Sequence, residues 1–148
     1  MEIQFCLGWL EKGRLPHKAF KEPAAYSLFL EYVKRISQFG SCQISDRPAG
    51  IKKSGTKIWV CDRGGKMFSS EDLAKEFEKI QNAGARFLQI AVGGPDGFSK
   101  TELEQLQPDL KWSFGPPTFP HELAAVVASE QIYRVFTILK RHPYHAKH

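Results

Sequence analysis

KIWVCDRGGKMFSSEDLAKEFEKIQNAGARFLQIAV, residues 57–92, is the stretch that decides the fold. Lys57–Asp62 and Arg86–Val92 are near-continuous apolar runs, as expected of inner strands in a parallel sheet. Between them Ser69 and Asp72 resemble the start of a capped helix, whose buried face is supplied by Leu73, Phe77 and Ile80. A strand, a helix and a second strand in this order predict a parallel strand pair.

The rest of the chain continues the alternation. We predict strands at Glu2–Leu7 and Leu110–Phe114, a shorter one at Cys42–Ser45, and a Gly-containing loop at Arg63–Phe68. The predicted helices begin at Pro23, at the Ser99–Glu102 capping box and at Glu122, the last running to Leu139. The sequence therefore predicts an α/β fold, a single domain over residues 1–148 with a mainly parallel sheet flanked by helices.

Composition narrows the class of protein. The 148 residues carry a formal net charge of +5, which moderately favours a polyanionic partner such as RNA. Three widely spaced cysteines, Cys6, Cys42 and Cys61, fit neither a disulfide framework nor a cysteine zinc site. No run is long enough to span a bilayer and no signal pattern opens the chain, so we expect a cytoplasmic protein without a membrane partner.

A glycine-rich turn, GGPDG at residues 93–97, follows the second apolar strand. Glycines allow close backbone approach to a ligand, and the free N–H groups suit an anion or an adenine edge. The pattern is neither a Walker loop nor a dinucleotide fingerprint. Asp62 ends the neighbouring strand, where open α/β sheets bind ligands. The alternative is a plain tight turn between a strand and a helix.

A proline-rich loop, GPPTFPH at residues 115–121, precedes the longest predicted helix. Proline has a fixed φ and no N–H, so this loop is stiff and leaves carbonyl groups unpaired. Such carbonyls can accept from the amino group of an adenine, although a purely structural turn also explains them.

The helix at Glu122–Leu139 is apolar on nearly every side of its first half, through Leu123, Ala124, Val126, Val127 and Ala128. A chain of this size seldom covers such a helix alone, which favours a symmetric dimer interface. Glu130 and Arg134 lie four residues apart and either pair with each other or hold a phosphate.

Two basic segments are candidates for RNA contact. Residues 41–57 are either a solvated connection or a loop that contacts RNA phosphates through Arg47, Lys52, Lys53 and Lys57. The tail RHPYHAKH, residues 141–148, places Tyr144 between histidines. Phosphate contact and base stacking explain this tail better than a metal site does, because Pro143 breaks the alignment of the histidines. A frayed terminus is the remaining alternative.

Four motifs together resemble a known family. VGGPDGFS (92–99), WSFGPPTFPHEL (112–123), ASEQIYRVFTI (128–138) and HPYH (142–145) look like those of the SPOUT-class methyltransferases that modify N3 of a pseudouridine in 23S ribosomal RNA. The likeness is weaker but collinear over residues 57–84. It implies an α/β fold with a C-terminal trefoil knot, S-adenosyl-L-methionine as cofactor, a homodimer, and ribosomal RNA of the large subunit or whole ribosome as partner.

The resemblance also implies roles for individual residues. Arg134, Tyr144 and His145 match the family's substrate-side residues and are the candidate catalytic residues. In the family, the tail of one subunit completes the site of the other. No metal is expected. The implied cofactor-binding residues are Cys61, Asp62, Gly93, Gly94, Gly115, Pro116, Pro117, Thr118, Phe119 and Pro120.

The chain departs from the family pattern at two places. PAGIKKSG (48–55) is retained, but the family's helix between Ser41 and Lys57 is missing, and Ala146 stands where the family has a basic residue. Both changes concern RNA contact. Two alternative functions therefore stay open: a non-catalytic RNA-binding or ribosome-associated protein on this fold, and a related methyltransferase acting on tRNA or another ribosomal site.

Overall fold

The segment from residue 57 to residue 92 forms the strand–helix–strand unit that its pattern predicts. The Ser69 hydroxyl accepts a hydrogen bond from the Asp72 backbone N–H at 3.0 Å, which satisfies one free donor of the helix that follows. Leu73 and Phe77 on that helix are fully buried. The two strands then pair in parallel, with Trp59 opposite Ile90.

A computed structural model describes residues 1–46 and 53–146. The strands there are β1 (Glu2–Leu7), β2 (Cys42–Ser45), β3 (Thr56–Met67), β4 (Phe87–Val92) and β5 (Leu110–Ser113). The α-helices are α1 (Pro23–Ile36), α2 (Ser70–Asn82), α3 (Lys100–Leu106), α4 (His121–Leu139) and α5 (Pro143–Ala146), with one 3-10 turn at Pro16–Lys18. No helix in these two ranges is long and apolar enough to cross a bilayer.

Across the described part of the chain, the strands form one sheet in the order β2-β1-β4-β3-β5. Every neighbouring pair is parallel. The α/β prediction is confirmed, and the predicted short strand at Cys42–Ser45 is the edge strand β2. Since parallel strands all end at one edge, the loops that follow β3, β4 and β5 meet there.

The two faces of the sheet are covered unequally. Helices α1, α2 and α4 cover one face, where Phe5, Trp59, Phe77 and Ile132 belong to the main core. The other face carries a smaller cluster, packed against residues on and beside α3: Cys6, Ile58, Val60 and Ala91, against Phe98, Leu103 and Leu106. Helix α3 begins at the predicted capping box, because Ser99 and Glu102 each accept from the other's backbone N–H.

The predicted loop at Arg63–Phe68 is wrong, because β3 continues to Met67. Trp112 of β5 pairs first with Cys61 and then with Lys66, so β3 bulges between these positions and rejoins the ladder. The two glycines that suggested a turn, Gly64 and Gly65, lie in this bulge. A Cβ on Gly65 would lie 2.5 Å from the Lys111 carbonyl carbon, which is sterically excluded. Asp62 therefore lies within β3 and not at its end.

Helix α4 is covered by its own chain more than the sequence predicts. Ala125 and Ala128 are fully buried and Val126 is 6% exposed. Leu123 remains 43% exposed, and the neighbouring Ala124 and Val127 are half-buried. The other boundary errors are of one residue: β3 starts at Thr56, β4 starts at Phe87, β5 ends at Ser113 and α4 starts at His121.

Candidate active site

A cavity of about 280 Å³ opens at the edge of the sheet where the loops after β4 and β5 meet the bulge of β3. This volume is close to the lower limit for small-molecule sites, about 300 Å³. The lining residues are Cys61, Asp62, Arg63, Val92, Gly93, Gly94, Pro95, Asp96, Gly97, Trp112, Phe114, Gly115, Pro117, Thr118, Phe119, His121 and Ala124.

The first wall is the glycine turn that ends β4. Gly97 donates its N–H to the Gly94 carbonyl at 2.9 Å, which closes the turn, and its φ of +67° favours glycine. A Cβ on Gly93 would lie 2.9 Å from the Gly97 carbonyl carbon, so no other residue fits there without a shift. Glycine at these positions therefore brings bare backbone to the cavity.

The second wall is the proline loop between β5 and α4. The buried Ser113 hydroxyl donates to the Arg63 carbonyl at 3.0 Å and accepts from the Gly115 N–H at 3.1 Å, which ties the loop to β3. Phe114 packs edge-to-face on Trp112 at 4.9 Å and on Phe119 at 5.9 Å, measured between ring centroids. These rings give the cavity an apolar aromatic side suited to a flat ring.

Charges of both signs line the same cavity. Asp62 and Asp96 bring carboxylates, and Arg63 donates from Nη1 to the Thr118 hydroxyl at 3.0 Å, linking β3 to the proline loop. Burial raises the pKa of the Cys61 thiol well above its ordinary range, so this side chain stays neutral. The cavity can therefore hold a ligand that carries both a cationic and an anionic group.

The back of the cavity is supported from the N-terminal segment. Trp9 packs edge-to-face on the lining residue His121, with 4.6 Å between ring centroids, and donates its indole N–H to the Ala19 carbonyl at 3.0 Å. The buried carboxylate of Glu122 accepts from the backbone N–H groups of Lys21 and Glu22 at 3.2 and 3.0 Å. The first turn of α4 is thereby attached to the segment that precedes α1.

A second polar cluster lies near the other end of α4. Oε1 of Glu130 accepts from Nη2 and Nε of Arg134, at 2.7 and 3.0 Å, and from the Tyr144 hydroxyl at 3.0 Å. The guanidinium of Arg134 lies 4.9 Å from the Tyr144 ring centroid. Burial, with hydrogen bonds to Tyr32 and Glu130, raises the pKa of Tyr144, so its hydroxyl stays protonated.

His145 completes this cluster from α5. Its Nδ1 lies 3.0 Å from Nη1 of Arg134, and its Nε2 lies 2.6 Å from Oε1 of Glu71 on α2. The hydrogen bond from His145 is the main cause that lowers the pKa of the exposed Glu71 carboxyl. We call Glu71, Glu130, Arg134, Tyr144 and His145 the tail cluster.

The tail cluster and the cavity are separate within one chain. None of the five cluster residues lines the cavity. Arg134 lies ten positions beyond the lining residue Ala124 on α4, which is about 15 Å along a helix. The structure therefore brings the three predicted catalytic residues together, and places them away from the predicted cofactor residues of the same subunit.

Eight of the ten predicted cofactor residues line the cavity. The exceptions are Pro116 and Pro120, of which Pro120 caps α4. Sequence reasoning missed the aromatic residues Trp112 and Phe114, although both directly precede the proline loop, and Arg63, which follows Asp62. It noted His121 only as the residue after that loop.

The predicted basic loop is described only in part. Arg47 and Lys52, the PAG segment, and Lys147 and His148 of the tail lie outside the described residues. Lys53 is exposed, and Nζ of Lys57 lies 3.8 Å from an Asp109 carboxylate oxygen. Over the described ranges, no three His, Cys, Asp or Glu side chains gather as metal ligands.

Comparison with known proteins gives a consistent result. Residues 46–145 match the profile of a family described as "Predicted SPOUT methyltransferase". The chain is similar to proteins named ribosomal RNA large subunit methyltransferase H. That of Magnetococcus marinus is 41% identical over 80% of this chain and 87% of its own length, and that of Koribacter versatilis 36% over 86% and 92%. That of Mesorhizobium japonicum is 44% identical over 62% of this chain and 56% of its own length.

Proposed function

The chain belongs to the SPOUT methyltransferase family, and from this we propose that it methylates N3 of a pseudouridine in large-subunit ribosomal RNA with S-adenosylmethionine as methyl donor. The observation that carries the proposal is the cavity of about 280 Å³, walled by the glycine turn and the proline loop. The names of the similar proteins indicate the ribosomal RNA, and the pseudouridine comes from the motif resemblance.

The lining residues fit the proposed donor. Bare backbone at Gly93 and Gly94 and the rings of Trp112 and Phe114 suit an adenine, through hydrogen bonds to its edge and packing on its face. Arg63 suits the carboxylate of the amino-acid part, and Asp62 or Asp96 its ammonium group. When bound, S-adenosylmethionine supplies a methyl group activated by its sulfonium, whose sulfur leaves as a neutral thioether.

In this proposal the residues of the chain position the base and accept its proton. N3 of the pseudouridine gains the methyl carbon and must give up one proton, so the protein has to hold the base against the cavity and accept that proton. Tyr144 would stack on the base or hydrogen-bond to it. Arg134 would neutralise the ring anion or a phosphate, and His145 would accept the proton and pass it to solvent.

Within the same proposal the enzyme is a homodimer. Arg134 lies about 15 Å beyond the cavity-lining residue Ala124 along α4, so in this proposal a second copy brings its tail to the cavity. The exposed Leu123, beside the half-buried Ala124 and Val127, provides an apolar patch next to the cavity-lining part of α4 for that contact. A two-fold axis would place each tail on the partner's cavity and create two equal sites.

A further part of the proposal concerns the chain path and the domain. We place the whole chain, residues 1–148, in one domain whose C-terminal segment forms a trefoil knot around the cavity. The support is that the loops after β4 and β5 build the cavity together. An experimental electron-density map tests the chain path, and two separate unfolding transitions would contradict the single domain.

Mixed dimers test the dimeric site. Gly94→Leu would place a bulky side chain in the wall of the cavity, against Trp9, at a position without a positive φ, and should disrupt the site. His145→Ala would disable the tail. Each variant alone should be inactive on ribosomal RNA. Refolding them together should restore about a quarter of wild-type methyl transfer, because half of the dimers would carry one intact site. No recovery, with dimers shown to exchange, would contradict a site shared between subunits.

Cofactor binding separates the alternatives. Calorimetric titration of S-adenosylmethionine should show saturable binding to the wild type and none to Gly94→Leu. Absence of binding at millimolar concentration would contradict the proposed cavity. Binding of RNA with a steep salt dependence but no methyl transfer would instead support the non-catalytic RNA-binding protein.

A further inference from the structure

The imidazole of His145 lies between two charged groups that come from different helices. Nε2 lies 2.6 Å from Oε1 of Glu71 on α2, and Nδ1 lies 3.0 Å from Nη1 of Arg134 on α4. The contact to Glu71 is shorter than an ordinary N–H···O hydrogen bond, and the contact to Arg134 has an ordinary hydrogen-bond length. The ring is therefore held at both nitrogens, by an acceptor on one side and a donor on the other.

These two partners determine where the ring proton lies. A guanidinium only donates hydrogen bonds, so Nδ1 has to be the unprotonated, accepting nitrogen. A glutamate whose pKa is lowered is ionised at neutral pH and only accepts, so Nε2 has to carry the proton. An imidazolium does not fit this arrangement, because its Nδ1–H would face the N–H of Arg134.

From this geometry we propose that Glu71 is a positioning residue for the methyl transfer, which fixes His145 in the Nε2-protonated tautomer and leaves Nδ1 as the proton acceptor. The assignment rests on the proposed function, in which His145 accepts the N3 proton. Glu71 itself does not touch the substrate. It acts through the ring, as the carboxylate of a catalytic triad acts through its histidine.

The rest of the tail cluster explains how Nδ1 becomes available. Arg134 is held by Glu130 as well as by His145, and it turns from Nδ1 when an RNA phosphate or the ring anion offers a stronger acceptor. Nδ1 then takes the proton that N3 loses as N3 gains the methyl carbon. The imidazolium is stabilised by the charge of Glu71 until the proton passes to solvent.

The position of Glu71 in the fold suits this role. It lies in the first turn of α2, beside the Ser69 cap, where a carboxylate is favoured by the helix dipole. The side chain is 59% exposed, so the pair contributes little to overall stability. An exposed carboxylate with a short contact to a predicted catalytic histidine is better explained by orientation of the ring than by support of the fold.

Nuclear magnetic resonance of the His145 ring in the full chain tests the assignment without any cofactor. At about pH 8, the nitrogen-15 spectrum should show Nε2 protonated and Nδ1 unprotonated. The Nε2 proton should be shifted downfield and slow to exchange. This signal should persist in Glu71→Gln, which keeps an acceptor, and be lost in Glu71→Ala. A protonated Nδ1, or a proton signal unaffected by Glu71→Ala, would overturn the proposal.

Methyl-transfer kinetics provide the second measurement. Glu71→Ala should lower kcat about tenfold to a hundredfold, no more than the lower end of the roughly 10²–10⁴-fold contribution of a general base, because the base itself is kept. The affinity for S-adenosylmethionine should be unchanged. Glu71→Gln should retain part of kcat, and Glu78→Ala, an exposed glutamate of the same helix, should match the wild type. An unchanged kcat in Glu71→Ala would contradict the positioning role. If the wild type methylates no RNA, the proposed function fails, while the ring tautomer is still decided by the spectrum.

Discussion

Glu130 and Arg134 form an ion pair at 2.7 Å, one helical turn apart on α4, and both side chains are largely shielded from water, at 17% and 13% exposure. Glu31 and Arg35 on α1 have the same spacing and a similar distance, 2.9 Å, but are 50% and 37% exposed. The two pairs differ mainly in burial. Comparing them therefore shows what shielding from water adds to an ion pair of this spacing.

Replacing Glu130 should affect both stability and activity. Glu130→Ala leaves the shielded guanidinium of Arg134 without its carboxylate, which we expect to lower the free energy of unfolding by about 2 kcal/mol. Methyl transfer should be lost because Arg134 and Tyr144 lose their common acceptor. Glu31→Ala should change stability by less than about 1 kcal/mol. Equal effects in urea unfolding would show that burial does not distinguish the pairs.

A second prediction concerns the attachment of α4 to the N-terminal segment. Glu122→Ala removes the acceptor for two backbone N–H groups, and we expect a loss of about 2 kcal/mol in unfolding free energy. Glu122→Gln keeps one acceptor oxygen and should lose about half as much. Because Trp9 supports His121 from this segment, the affinity for S-adenosylmethionine should fall in the same order. Calorimetry measures the affinity, and an unchanged value in Glu122→Ala would contradict the supporting role.

The bulge of β3 provides a pair of neighbouring glycines for a third prediction. A Cβ on Gly65 would lie 2.5 Å from the Lys111 carbonyl carbon, whereas the nearest atom to a Cβ on Gly64 is 3.6 Å away. Gly65→Ala should therefore separate β3 from β5 and lower the free energy of unfolding by about 3 kcal/mol. Gly64→Ala should be near neutral. Thermal unfolding of the two variants checks this, and similar melting temperatures would show that the bulge does not need glycine.

The three cysteines predict a loss of stability at high pH, because burial raises the pKa of each thiol. Burial raises the pKa of Cys6 to about 11 and that of Cys42 to about 12. The unfolded chain loses the thiol protons at about pH 8.5, while the folded chain keeps them. The free energy of unfolding is therefore not reduced by the thiols below that pH. The free energy of unfolding should decline as the pH rises from about 8.5 towards about 11 for Cys6 and about 12 for Cys42.

Urea unfolding between about pH 8 and about pH 11 measures this decline. In Cys6→Ala the free energy of unfolding should fall less steeply with pH than in the wild type, because one titrating thiol is gone. The same burial keeps Cys6 as a thiol at neutral pH, so it should react slowly with iodoacetamide in the folded protein and quickly in urea. Rapid alkylation of Cys6 in the folded protein would contradict the burial.

Local signals were enough to predict most of the sheet. In the β3–α2–β4 unit the two strands are apolar runs, and the helix has a cap and a helical periodicity. The short β2 strand at the edge was also predicted from its own residues. The extension of β3 to Met67 could not be predicted in this way. It depends on pairing with β5, which lies far along the chain, and the glycines of the bulge look like a turn when considered alone.

The candidate site also has one part that local sequence predicts and one part that only the fold reveals. The cavity residues fall in three short segments of the chain, so the glycine turn and the proline loop identified most of them from sequence. The pair between Glu71 and His145 joins positions 74 residues apart, and nothing near Glu71 in the sequence indicates a role beyond the first turn of a helix. Such contacts follow from the packing of α5 against α2 and α4, which only the fold reveals.

The most direct test of the central claim is mass mapping of large-subunit ribosomal RNA. Ribosomes from a strain lacking the protein would be incubated with the purified enzyme and isotope-labelled S-adenosylmethionine, then digested and sequenced by mass spectrometry. We predict one labelled methyl group on the base of a pseudouridine at N3, absent with His145→Ala. Label on transfer RNA, on another ribosomal nucleotide, or on no RNA at all would contradict the account.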